Sequence, residues 1–274
     1  MTADPTDTAN LSAWERCIAH AGYVAEGVLY LLIGTSALLA TMHGARRPAG
    51  TQGVLQQLGF SPLGEALLAA VALGLAAFVT WQLLIAIRDP EYRHRSKQPL
   101  RPLVRIGHLF SGALNSVLVI EAMRVLFGLA GDTDGEHTQK EWLARAFKMP
   151  LGRFIVGTVG IGIALYGLYQ GYRAVSRRRD STVDLSRTRL RPFLDALGIY
   201  GLLSRGVMFT LIGVYLALAA WRRHAQYAVG IAGALNSLKR QPYGKWLLGT
   251  VAAGLIAYGL WLIVKEPYRR LRNS

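Results

Sequence analysis

Glu26, Ser111 and Arg205 occupy one position in a pattern that recurs along the chain. Each stands just before the second glycine of a Gly-x-x-x-x-Gly pair: Gly22 and Gly27, Gly107 and Gly112, Gly201 and Gly206. A carboxylate, a hydroxyl and a guanidinium brought to one depth offer an ion pair with a hydroxyl beside it. The surroundings make that chemistry necessary, because "GYVAEGVLYLLIG" (22–34) is apolar at almost every position except Glu26. An ionisable side chain at the centre of a membrane-spanning helix costs roughly 2.5–3.5 kcal/mol on insertion scales, so it demands a partner. Two roles fit. One is a buried ion pair that locks the first and third copies of the pattern in register. The other is a polar constriction on the path of a small hydrophilic or amphiphilic solute.

A second charged pair, Glu121 and Arg124, lies three residues apart on adjacent helical positions. The matching positions elsewhere are Ser36/Leu39 and Tyr215/Leu218, so this pair breaks the pattern. Either Arg124 snorkels to the outer surface and meets Glu121 on the way, or the asymmetry marks added function. His20 and His108 enter their segments near the first glycine. Paired imidazoles can ligate haem or a metal, yet nothing in their spacing fixes such a geometry, and interfacial histidines are the plainer reading. The stretch "AGDTDGEHTQKE" (130–141) carries Asp132, Asp134, Glu136, His137 and Glu141. Its glycine falls at the fourth place, where an EF-hand needs it at the sixth, so a solvated acidic turn is expected. Hydrolase elbows, P-loops, dinucleotide fingerprints and zincin helices do not occur. Cys17 is the single cysteine, which rules out an intrachain disulfide or a cysteine metal site within one chain. The expectation is therefore a protein that is not an enzyme, with no catalytic residue, metal or cofactor. Its binding candidates are Glu26, Ser111, Arg205, Glu121 and Arg124.

The elements that must position these residues are long and apolar. Of 274 residues 52% are hydrophobic, and the mean hydropathy is +0.27, well above a soluble average. Six segments, near 19–42, 63–87, 106–130, 151–172, 196–221 and 244–264, each supply roughly the 20 apolar residues that a helix needs to span a hydrocarbon core. They are apolar around most of their circumference, unlike the one-sided stripe of a soluble helix. The N-terminal stretch has no basic region and carries Asp4, Asp7 and Glu15, which reads as a short tail and not as a cleaved signal.

Three copies of one hairpin organise the chain. "SPLGEALLAAVALGLAAFVTWQ", "MPLGRFIVGTVGIGIALYGLYQ" and "QPYGKWLLGTVAAGLIAYGLWL" align without a gap from Ser61, Met149 and Gln241. Proline recurs at 62, 150 and 242, marking a helix start, where its missing N–H costs little. Glycine follows at 64, 152 and 244 and again at 74, 162 and 254. An aromatic comes next at Phe78, Tyr166 and Tyr258, then Trp81, Tyr169 and Trp261. Short amphipathic stretches, "GVLQQLGF", "EWLARAFK" and "GALNSLKR", join the two helices of each hairpin and suit a membrane interface. The expected boundaries are a tail at 1–15 and repeats at 16–95, 101–179 and 191–271. Each repeat crosses twice, so the repeats run parallel. The expected fold is an all-α integral membrane bundle of six helices with pseudo-threefold symmetry. Glycines five residues apart turn about 140° beyond a full turn and so serve several neighbours, with small pairs such as Gly167/Gly171 and Gly249/Ala253 allowing close contact.

The net charge of +15 follows the segment boundaries. Lysines and arginines concentrate in 88–105, 173–191 and 265–272, which places both termini in the cytoplasm. These loops attract anionic lipid headgroups. Nucleic acid is not an expected partner, since the charges lack interleaved aromatics.

The block "GIAGALNSLKRQPYGKWLLGTVAAGLIAYGLWLIVKEPYRR" (230–270), with "SRGV" of the fifth segment, resembles the bacterial membrane family known as domain of unknown function 1206. The resemblance implies three tandem two-helix repeats and a bacterial inner membrane, and brings no reaction or cofactor. In that family the residue before the second glycine is often arginine; Arg205 fits, whereas Glu26 and Ser111 depart. The functional expectation is a small module that binds or passes a small solute or lipid at the axis between repeats. The alternative is a non-catalytic structural or assembly subunit, partnered by another membrane protein, whose charges only lock packing.

Overall fold

The computed structural model describes residues 13–42, 48–60, 62–88, 101–129, 135–176 and 191–265. These form α1 (Ala13–Met42), α2 (Thr51–Leu58), α3 (Pro62–Arg88), α4 (Arg101–Leu126), α5 (Gly135–Lys148), α6 (Gly152–Val175), α7 (Arg191–Arg222), α8 (Ile231–Lys239) and α9 (Gly244–Lys265), with a single 3-10 turn at Ala225–Tyr227. No strand occurs among the described residues. The six long helices coincide with the six apolar segments, and α2, α5 and α8 with the amphipathic joins. The proline starts hold approximately: α3 begins at Pro62, while α6 and α9 begin at the glycine two residues after theirs.

Five of the long helices, α1, α3, α6, α7 and α9, are long and apolar enough to cross a membrane. The third expected span, α4, is a 26-residue helix outside that set, and it carries Arg101, Arg105, Glu121 and Arg124. The basic loops 89–100 and 177–190, the terminal stretches 1–12 and 266–274, Asp132 and Asp134 lie outside the described residues. Glu136, His137 and Glu141 fall on α5, so the expected acidic turn is helical from Gly135 onward.

Packing runs in one order: α4 on α3, α3 on α1, α1 on α9, α9 on α7, and α7 on α6. Each repeat meets the next through the same kind of step, second helix to first helix: α3 to α4, α6 to α7, and α9 back to α1. Within a repeat, α1 packs on α3 and α7 on α9, but α4 and α6 are not among the packed pairs. The helices therefore form a ring with one open seam, inside repeat two. The first helices α1, α4 and α7 are not among the pairs packed on one another.

The recurrent glycines explain these contacts. A Cβ on Gly22 would sit 2.7 Å from the Cα of Phe78, and one on Gly201 would sit 2.6 Å from the Cα of Tyr258. In repeats one and three the first glycine of the pair thus receives the second helix of its own repeat. The second glycine faces the preceding repeat. A Cβ on Gly27 would lie 2.9 Å from the Gly259 carbonyl oxygen, and one on Gly206 would lie 2.8 Å from that of Gly167. The second helices divide their glycines the same way. Gly74 and Gly254 lie against α1 and α7 of their own repeats, whereas Gly167 and Gly259 meet the first helix of the next. Five residues carry the chain about 140° around the helix, which is what two different neighbours require. The expected close pair Gly249/Ala253 is not one of these contacts: Gly249 has only Thr41 near it, at 3.9 Å, and Ala253 is exposed.

Gly162 is the exception that locates the seam. It matches Gly74 and Gly254, yet among the described residues nothing lies within 4 Å of a Cβ placed there. Its neighbours agree. Tyr166 is 47% exposed, where the matching Phe78 and Tyr258 are 3% and 4%; Tyr169 is 56% exposed, where Trp81 is fully buried. The face of α6 that repeats one and three cover with their own first helix is uncovered in repeat two.

Candidate functional site: the polar interior of the ring

Helical geometry aims the candidate residues inward. Measured from the first glycine of each pair, residues four and eight positions later lie about 40° and 80° around the helix, between the two neighbouring helices. Those positions are Glu26 and Tyr30 on α1, Ser111 and Asn115 on α4, and Arg205 and Phe209 on α7. The same offsets from Gly74, Gly162 and Gly254 give Phe78 and Gln82, Tyr166 and Gln170, and Tyr258 and Leu262.

Arg205 is the centre of this interior. Its Nη2 donates to Glu26 Oε1 at 3.2 Å, its Nε to the Tyr30 hydroxyl at 2.8 Å, and its Nη1 to the Tyr258 hydroxyl at 2.8 Å. The guanidinium carbon also lies 5.4 Å from the ring centroid of Tyr30, 5.1 Å from that of Phe209 and 4.9 Å from that of Tyr258. Cation–π attraction grows when both partners are desolvated, so the rings supply part of what water would give the cation outside. Three helices, α1, α7 and α9, thus converge on one cation.

The ring pairs repeat across the between-repeat steps. Tyr258 meets Tyr30 edge to face at 4.9 Å, and Tyr166 meets Phe209 in the same way at 5.7 Å. At the third step, Phe78 and Asn115 hold the matching positions and Asn115 Nδ2 donates to the Ser111 carbonyl at 2.9 Å.

Ser111 does not join the charged pair. Its hydroxyl accepts from Gln82 Nε2 at 2.8 Å, which ties α3 to α4. The expected trio is therefore a pair with a separate polar contact, because α4 lies beyond α3 and away from α7. Glu121 and Arg124 pair with each other at 3.6 Å along α4, with the Arg124 side chain 47% exposed, and are not in the Arg205 cluster. His20 is exposed, and the side chain of His108 lies outside the described residues. Among the described residues no group of His, Cys, Asp or Glu is arranged to hold a metal ion.

Tyr30, Phe209, Gln82 and Gln170 were not singled out from the sequence. Their signal was available: each lies one helical turn beyond a position already aligned, Tyr30 and Phe209 after Glu26 and Arg205, Gln82 and Gln170 after Phe78 and Tyr166.

The three-repeat build has a direct counterpart in the comparison with known families. The model described as Domain of Unknown Function (DUF1206) matches three times, over residues 21–89, 106–177 and 200–265. The chain belongs to the DUF1206 family. Each DUF1206 match takes in one pair of long helices. Among curated proteins, the chain is similar to the "Uncharacterized protein YxxB" of Bacillus subtilis (strain 168), with 31% identity over 261 residues, 94% of this chain and 92% of that protein. No solved structure matches.

Proposed function

We propose that this chain is a multi-pass protein of the bacterial inner membrane that binds a lipid-like amphiphile through the seam between α4 and α6. In this reading α4 is the sixth crossing, both termini are cytoplasmic, the repeats have pseudo-threefold symmetry, and the role is non-enzymatic. The basic loops rest on anionic headgroups. The observation that carries the proposal is the uncovered face of α6 at Gly162, Tyr166 and Tyr169, beside an interior that holds a buried cation. Hydrocarbon is the natural cover for an apolar helix face in a bilayer, and a polar group at its edge suits a molecule with both characters.

The test is retention. The full chain purified in mild detergent carries copurifying lipid, counted per chain by mass spectrometry, and Gly162→Trp, which fills the seam, removes it without lowering the unfolding temperature. Equal lipid in both proteins sinks the proposal.

A structural role in a larger membrane complex is the second reading, favoured by the closure of the charged pair. Guanidinium, carboxylate and two phenols are hydrogen-bonded to one another there, which ties three helices together. A charge swap, Glu26→Arg with Arg205→Glu, that restores both folding and phenotype supports this reading over the first.

A further inference from the structure

We infer that the molecule entering the seam is uncharged and carries a carbonyl or similar acceptor, which it places between Gln170 of α6 and Arg205 of α7. The inference rests on the binding reading above and names its ligand class.

The repeats supply the argument. Gln82 and Gln170 are equivalent residues, and each lies beside the second glycine of the next repeat, Gly112 and Gly206. At the α3–α4 step the residue before that glycine is Ser111, and Gln82 donates its amide hydrogen to the serine hydroxyl. At the α6–α7 step it is Arg205, which has N–H groups and no acceptor. Gln170 packs there: its Cβ lies 3.7 Å from where a Cβ on Gly206 would sit. The side chain is 3% exposed, and its Nε2 has no hydrogen-bond partner among the described residues.

Arg205 brings surplus donors to the same place. A guanidinium offers five N–H groups, and three hydrogen bonds from Arg205 are accounted for by Tyr30, Tyr258 and Glu26. The unpartnered Gln170 Nε2 and the Arg205 N–H groups outside those three bonds thus belong to the same α6–α7 step. A buried donor without a partner carries a desolvation penalty that an incoming acceptor removes.

Charge fixes the rest. Glu26 already neutralises Arg205, so an anionic head at this depth would leave one charge uncompensated in an apolar surrounding. A neutral carbonyl satisfies the donors without adding charge. Tyr166, half exposed at the seam, meets the Phe209 ring, one helical turn beyond Arg205. A glyceride ester and a quinone ring present the same acceptor chemistry from different sources.

The experiment follows the thermal unfolding midpoint of the full chain in detergent with four additives: dioleoylglycerol, decylubiquinone, oleate and squalane. The neutral carbonyl compounds raise the midpoint by several degrees, and whichever raises it more identifies the source. Squalane, with no acceptor, and oleate, with a charge, do not. Gln170→Leu abolishes the shift and leaves the unliganded midpoint level or higher, since it removes an unpartnered amide. Gln82→Leu lowers the unliganded midpoint through loss of the Ser111 bond and keeps the full shift. A shift that survives Gln170→Leu, or that squalane or oleate matches, overturns the assignment of ligand class while binding at the seam stands. Absence of any shift, with no copurifying lipid, overturns both.

Discussion

Arg205 and Glu26 face each other across 3.2 Å, from the third repeat to the first, with both side chains largely buried. The two helices that carry them are each packed on α9, so the pair closes over that helix. Breaking one half leaves the other charged and buried. Arg205→Met and Glu26→Leu are each expected to lower stability by about 3–5 kcal/mol, while the double substitution costs less than either sum. Unfolding of the purified chain in detergent measures all three.

Glycine substitutions distinguish covered from uncovered faces. Gly22→Ala and Gly201→Ala force a methyl into the backbone of Phe78 and Tyr258 and are expected to cost about 1–3 kcal/mol. Gly162→Ala meets none of the described residues, and alanine is the better helix former, so that variant is expected to gain about 0.5–1 kcal/mol. A loss at 162 of the size seen at 22 would close the seam.

The end of α7 holds a stabilising opportunity. His224 N donates to the Ala219 carbonyl at 3.1 Å, the long bond of a Schellman turn, and Arg223 takes the left-handed position with φ of 56°. The corresponding place after α4 is held by Gly128, at φ 64°. Arg223→Gly is expected to raise stability by up to about 1 kcal/mol, read as a higher unfolding midpoint. Arginine at that site is exposed, so no packing is lost.

Sidedness has its own check. With Cys17, the single cysteine, replaced by serine, cysteines introduced at Arg95 and Arg178 are expected to react from the cytoplasm. Those at His43 and Asp134 should react from the opposite face. A shared side for all four contradicts the proposed topology.

The helices and their order were legible because repetition and hydropathy are local properties of the chain. Pro62, Pro150 and Pro242 align, and three hairpins follow from that. Contact partners were less legible. Gly22 and Gly27 look like one motif, yet they serve α3 and α9 respectively, and only the ring arrangement separates them. Ser111 was grouped with Glu26 and Arg205 by alignment alone. Equivalent positions share a depth and a direction, but α4 is held by α3 on one side and meets no close neighbour at the seam, so its serine found Gln82 first. The seam itself was invisible, because repeat two keeps the same glycine, aromatic and proline positions as the other two. Tyr30 and Tyr258 illustrate the remaining gap: hydroxyls on apolar segments read as packing until a cation is placed between them.

The ion pair also sets a timing problem for synthesis. Glu26 precedes Arg205 by 179 residues, and at elongation rates of about 5–20 residues per second that is a wait of roughly 10–35 s. On the proposed membrane reading, α1 leaves the ribosome with its carboxylate and no counter-ion, and α7 must arrive before the mature contact can form. During that interval Glu26 keeps its water at the bilayer surface or borrows a cationic group from the insertion machinery. Whichever it does, the first helix completes its contacts only after the last two long helices, α7 and α9, have been made.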